Sequence, residues 1–171
     1  VGYLWKSVTA TRDMSKEMGV SLGTAAKMQG VIKSMPIEQA KMKLLGRDLA
    51  DSATAIYHAT RSTRDINKEN VKTLSTLAAA TGTSETNIAN MARMFADMNG
   101  MGFKKGLGMV TATANLAEKF GVDKGAVISD IAESAEDFAT YTNGSMKNLQ
   151  MAAIHAQKMG TSLATTMKMT E

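Results

Sequence analysis

A three-residue motif that recurs four times constrains the fold of this chain more than any other feature. It reads glycine, then valine or threonine, then serine or aspartate, and it occupies residues 19–21, 82–84, 121–123 and 160–162. Glycine readily adopts the left-handed conformation that ends a helix, and a serine or aspartate side chain can accept a hydrogen bond from the first turn of the next helix. Each motif, hereafter a glycine corner, therefore predicts a junction of two helices, with helix ends near Gly19, Gly82, Gly121 and Gly160.

The composition between the corners also favours helix. The chain contains 15 methionines and a single proline, and only 5% of its residues are aromatic. This composition is typical of helices and argues against a β-sandwich or barrel. We expect an all-α fold without a β-sheet, built as an irregular array of helical hairpins joined at Gly-(Val/Thr)-(Ser/Asp) corners. A regular solenoid is less favoured, because the even spacing of the last three corners comes without the signature residues of a known repeat.

The remaining glycines suggest how the chain is divided. Gly46 is a weaker candidate corner, and residues 99–108 contain four glycines, which predicts a flexible loop there. The approximate helical units are then 1–46, 47–100, 101–143 and 144–171. We interpret residues 1–171 as one helical segment of a longer chain, because they start at Val1 without a signal peptide and end before a helix stop signal.

The sequence offers little material for catalysis. It has no cysteine and two histidines, which excludes disulfides and thiolate-bound metals. Neither a metalloprotease, hydrolase or calcium-loop motif nor a phosphate-binding glycine pattern occurs. We expect no enzymatic activity, no cofactor, no metal and no small-molecule substrate. The apolar stretches fall short of the roughly 18–20 residues that span a bilayer, so membrane insertion by this segment is not expected.

The charge leaves a second class of function open. The formal net charge is +4, which is modest for a nucleic-acid binder and typical of a solvated surface. A helical DNA-binding module would bind in a salt-dependent manner, and a general protein-interaction module without catalysis is equally open. We expect DNA binding to be weak at most. The basic residues that would carry it are Arg12, Lys16, Lys41, Lys43, Arg47, Arg61 and Arg64.

Two helical stripes are candidate interfaces with other proteins. Alanine buries little area and methionine makes adaptable contacts, so a stripe of such residues needs a neighbouring surface. We expect this neighbour to be a second copy or another protein. The candidate interface residues are Met91, Phe95, Met98, Leu149, Ala152, Ala153, Ala156 and Met159.

Polar side chains on two helices predict solvent-facing surfaces. Carboxylates spaced three or four residues apart on a helix most often lie on a solvated face. We expect such a face at Asp130, Glu133, Glu136 and Asp137. On the last long helix, Gln150 and His155 are expected on the polar side.

Several segments resemble the helical core of tail tape measure proteins of tailed bacteriophages. These are residues 127–139 and 144–163, together with the small-residue joints at 78–85 and 117–123, and the resemblance extends over about residues 74–170. It implies a non-catalytic structural virion protein that lies inside the tail tube, sets tail length and is expelled during genome delivery. It also implies self-association, tail-tube and tail-tip (baseplate hub) partners, and assembly in the host cytoplasm.

Overall fold

The computed structural model describes residues 2–134, 137 and 145–168, and within these ranges the chain forms ten helices and no strand. The expected all-α fold is therefore confirmed. The helices are α1 (Gly2–Met18), α2 (Leu22–Lys33), α3 (Pro36–Leu44), α4 (Leu49–Thr60), α5 (Lys68–Thr81), α6 (Glu85–Met98), α7 (Phe103–Lys119), α8 (Lys124–Glu133), α9 (Met146–Lys158) and α10 (Leu163–Lys168).

The four predicted glycine corners are confirmed as helix junctions. All four glycines have a positive φ, between 62° and 71°, which a residue with a side chain adopts only at a cost. The serine or aspartate of each corner accepts a hydrogen bond from the backbone N–H three residues later, at 3.1–3.2 Å for the three serines and 2.6 Å for Asp123. Each corner therefore ends one helix and starts the next with a cap supplied from within the corner itself.

Further backbone bonds close the same helix ends. At three corners the residue after the glycine donates its N–H to the carbonyl five residues earlier, as in Val122 to Ala117 at 3.1 Å and Thr161 to Ala156 at 3.0 Å. At the fourth, the N–H of Thr83 donates to the hydroxyl of Thr81 at 3.4 Å. Gly46 and Gly100 end helices in the same way, with φ of 69° and 59°. The weaker candidate at Gly46 is thus a corner of the same type. Helix α4 differs, because Arg61 takes the left-handed position with φ of 54°.

The expectation of a flexible loop over residues 99–108 is wrong for its second half. Helix α7 begins at Phe103, with Gly102 as its N-cap, so the connection from α6 comprises only residues 99–102. Phe103 and Leu107 are buried, which gives this glycine-rich turn the packing that stabilises it as helix. The four glycines predicted a loop, but two of them, Gly106 and Gly108, lie inside α7.

The helices group into two compact units, residues 1–75 and 76–171. This division is coarser than the four expected helical units. Its boundary lies within α5 instead of at a glycine, and the expected boundary at 143/144 falls outside the described residues.

Each unit has its own buried core. In the first unit, α2 packs against α1, α3 and α4, and its core includes Met28, Leu49 and Ile56. In the second unit, α6, α7 and α8 pack against one another, and α8 also packs against α9 and α10.

Helices α6 and α7 approach each other closely at a glycine. A Cβ atom at Gly106 would overlap the backbone carbonyl of Ala92, lying 2.9 Å from its carbon, and would be 3.3 Å from the Cβ of Ala96. Small residues therefore allow the two backbones to come into near contact. By contrast, Gly108 on the same helix has open space at its Cβ position.

We predict opposite effects for alanine at these two glycines. Gly106→Ala should destabilise the protein by about 1–3 kcal/mol, because the methyl group meets a backbone carbonyl that cannot rotate away. Gly108→Ala is the matched control and should stabilise it by about 0.5–1 kcal/mol through helix propensity. Denaturant unfolding of both variants measures the difference, and equal midpoints would contradict the close crossing.

A second prediction isolates the backbone cost of a corner. Nothing lies within 4 Å of a Cβ at Gly121, whose φ is +71°. Gly121→Val should therefore lower the free energy of unfolding by about 1–2 kcal/mol, because valine resists this backbone conformation. Gly121→Asn should lose less, because asparagine tolerates the left-handed region better than other residues with a side chain. Thermal or chemical unfolding that ranks valine equal to asparagine would refute this reading of the corner.

Candidate functional site

Most of the predicted interface residues lie inside the chain's own core. Of the eight candidates, Met91, Phe95, Leu149, Ala153 and Ala156 have essentially no exposed surface. Met98 and Ala152 are half-buried. Met159, at the C-terminal end of α9, is 68% exposed. The structure thus brings five of the candidates into the packing of the second unit and leaves one fully available at the surface.

The stripe on α9 is covered from within the same unit. Helix α9 packs against α8 and α10, and the small side chains of Ala153 and Ala156 permit close approach of neighbouring helices. The expectation that this stripe needs a second copy or another protein is therefore corrected. The neighbour that it requires is supplied by the same chain.

A buried side-chain hydrogen bond connects α7 and α9. The Nε2 of Gln150 donates to the Oγ1 of Thr113 at 2.6 Å, and that hydroxyl donates to the carbonyl of Met109 at 2.9 Å. Gln150 is only 8% exposed and Thr113 is fully buried. The expectation that Gln150 lies on the polar side of α9 is therefore wrong, whereas His155 is exposed as expected. The buried pair fixes the register of the two helices.

Asp130 also departs from its predicted role. Glu133 and Asp137 are exposed, and Glu136 lies outside the described residues, but Asp130 is only 7% exposed. Its two carboxylate oxygens accept from the backbone N–H of Leu163, at 2.7 and 2.9 Å. This N–H belongs to the first turn of α10, where helix N–H groups have no partner within the helix. Asp130 therefore caps α10 from a distant helix and is not part of a solvated face.

The environment of Asp130 changes its acidity. Burial raises the pKa of its carboxyl group above the ordinary value, while the hydrogen bonds from Leu163 and Gln157 act in the opposite direction. The charge of Glu133 adds a smaller increase in the pKa. The acceptor capacity of this carboxylate is directed to backbone and amide donors, which is the arrangement of a structural cap.

Other ionisable groups form isolated ion pairs, such as Arg93 with Asp97 at 2.8 Å. Within the described ranges, no three histidine or acidic side chains come together in a way that could hold a metal ion. His58 and His155 are both exposed. The Nζ of Lys158 lies 4.9 Å from the centre of the Phe120 ring, a cation–π contact that helps to hold the end of α9 in the second unit.

The structure reveals an exposed apolar surface that sequence reasoning missed. Helix α3 carries Ile37, Ala40 and Leu44 on its solvent side, hereafter the α3 stripe, with Ile37 66% and Leu44 87% exposed. The signal was present in the sequence, since positions 37, 40 and 44 share one helical face. The pattern alone could not tell which face of α3 points inward.

The basic residues of the DNA-binding alternative all belong to the first unit. Arg12 and Lys16 lie on α1, Lys41 and Lys43 on α3, and Arg61 and Arg64 at and after the end of α4. They are therefore distributed over several elements of this unit.

Comparison with known proteins gives no further guide. No known protein family, curated protein or solved structure matches this chain. None of the helices in the described part of the chain combines the length and apolar character needed to cross a bilayer.

The cap at Asp130 leads to a stability prediction. Asp130→Ala should destabilise the protein by about 1–3 kcal/mol, because the buried N–H of Leu163 loses its acceptor. Asp130→Asn should lose less, since its amide oxygen can still accept from that N–H. Urea unfolding at neutral pH tests the order of the two variants, and a smaller loss for alanine would contradict the cap.

The direction of the pKa change sets the pH dependence of the same contact. Because the folded pKa of Asp130 lies above its unfolded value, the folded state binds the proton more tightly. The contribution of this group is therefore complete below the unfolded pKa and is lost as pH rises through the folded pKa. The stability of the parent relative to Asp130→Asn should fall with rising pH across that interval. If the difference in stability between the parent and Asp130→Asn stays constant or rises with pH, burial does not dominate the pKa of Asp130.

Proposed function

We propose that this chain is a segment of a tail tape measure protein of a tailed bacteriophage. In this role it is a structural, non-catalytic virion protein that lies in the lumen of the tail tube. Its length contributes to the length of the tail, and it is expelled ahead of the genome. Before assembly it resides in the host cytoplasm.

The repeated corner is the observation that carries this proposal. The segment that resembles tape measure proteins corresponds closely to the second unit, whose helices meet at the corners of Gly82, Gly121 and Gly160. Each corner is closed by bonds within a few residues. Because the glycine and the capping residue act locally, the same joint can recur along a chain, which suits a protein whose length is the functional quantity.

The small side chains at several helix contacts of this unit also support the proposal. Many of its buried residues are alanines, and Gly106 lies directly against Ala92, although the core also contains large side chains such as Phe95 and Ile128. A protein that must be assembled and later unthreaded benefits from helices that each bury modest area. The absence of cysteine from the chain means that no disulfide opposes unthreading.

The proposed partners are tail-tube and tail-tip (baseplate hub) proteins and further copies of this chain. Since five of the eight candidate interface residues are buried, the contacts in the second unit are proposed for Met159 and the half-buried Met98 and Ala152. No small-molecule substrate, cofactor or membrane contact is part of the proposal. DNA binding is proposed to be weak at most.

Tail length in the parent phage tests this function. In-frame deletion of residues 76–171 should shorten the tail by at most about 140 Å, the length of about 96 residues as one α-helix at about 1.5 Å per residue. Duplication of the same residues should lengthen it, and Asp130→Ala is a control that leaves chain length unchanged. Electron microscopy measures the tails.

Two results would contradict the proposal. Tails of parental length in both length variants would exclude a ruler function for this segment. Tight, salt-dependent binding of the purified chain to duplex DNA, lost on replacing Arg61 and Arg64, would favour the DNA-binding alternative.

A further inference from the structure

Helix α3 has its aliphatic face turned away from the core. Met42 is its buried apolar side chain, at 8% exposure, while Ile37 and Leu44 are 66% and 87% exposed. Ala40 lies between them and is exposed as well. A surface helix normally directs such a stripe inward, so the α3 stripe is an apolar surface that the first unit does not use for its own folding.

Basic side chains border the α3 stripe on both sides. With 3.6 residues per turn, Lys41 and Lys43 fall on opposite flanks of the line from Ile37 to Leu44, and both are exposed. The acidic residue of this helix, Glu38, is turned toward Lys72, whose Nζ lies 3.5 Å from its carboxylate. The exposed border of the stripe is therefore positive.

We propose that α3 is a docking helix that inserts the α3 stripe into an apolar groove of a partner protein with an acidic rim. Positions i, i+3 and i+7 are the spacing with which a helix fills such a groove. The two lysines would then face the rim carboxylates, which speeds encounter and selects the partner. This proposal goes beyond the tail function and does not depend on it.

The charge and size of the surface favour this occupant over two others. A second copy docked on the same face would bring Lys41 and Lys43 of both chains together, and like charges would repel. A membrane-bound helix usually adds aromatic anchors to a broad apolar face, whereas α3 has nine residues, none of them aromatic. A narrow row of aliphatic side chains between two lysines is complementary to an apolar groove with an acidic rim.

The test uses the whole chain and a probe with the required chemistry, the isolated C-terminal lobe of calcium-loaded calmodulin. This lobe offers one methionine-lined groove that accepts basic amphipathic helices. Calorimetric titration should detect binding that weakens at higher salt. Leu44→Glu should weaken it about tenfold or more, and Lys41→Glu with Lys43→Glu should weaken it further. Leu22→Glu, at a 55% exposed leucine of α2, is the control and should leave binding unchanged.

The remaining outcomes overturn the proposal. Absence of binding to the lobe, or binding that survives Leu44→Glu, would do so. Binding to vesicles of phosphatidylserine and phosphatidylcholine that requires the α3 stripe, without binding to the lobe, would also overturn it. That result would indicate that the stripe binds a membrane. Concentration-dependent self-association abolished by Leu44→Glu would indicate a second copy. Circular dichroism and melting curves equal to the parent establish that each variant is folded.

Discussion

The second unit depends on the close approach of α6 and α7 at Gly106. Because no side chain separates Gly106 from the carbonyl of Ala92, the two helices can bury Met91, Phe95 and Leu107 around a short crossing. Helix α8 packs against both members of this pair and itself supports α9 and α10. A longer side chain at the crossing would displace the surface on which the later helices rest.

Polar contacts then specify how the later helices dock on this pair. Alanine-rich faces are nearly featureless, so hydrophobic contact alone would tolerate several registers. The bond from Gln150 to Thr113 selects one register for α9, and the carboxylate of Asp130 selects the position at which α10 begins. The interior thus combines apolar contacts of low specificity with two specific hydrogen-bonded contacts, at Thr113 and at Asp130.

Local signals made the corners predictable, and distant partners made the rest of the unit unpredictable. A glycine with positive φ and a capping aspartate act within five residues, so the corner at Gly121 could be predicted directly from the sequence. Gln150 and Asp130 resembled surface residues because their partners lie 37 and 33 positions away. The helical role of Gly106 depends on Ala92 in the preceding helix. The outward face of α3 was missed for the same reason, since periodicity does not reveal which side meets the core.

Amide hydrogen exchange measured on the whole chain tests most directly whether the second unit is organised around the α6–α7 crossing. If the crossing organises the unit, the amides of residues 107–114 and 91–96 are among the slowest of this unit and exchange only on its global unfolding. Gly106→Ala should then accelerate exchange in α6 and α7 together. Rapid exchange of residues 107–114, at the rate of the exposed Gly100, would show that the crossing does not organise the unit.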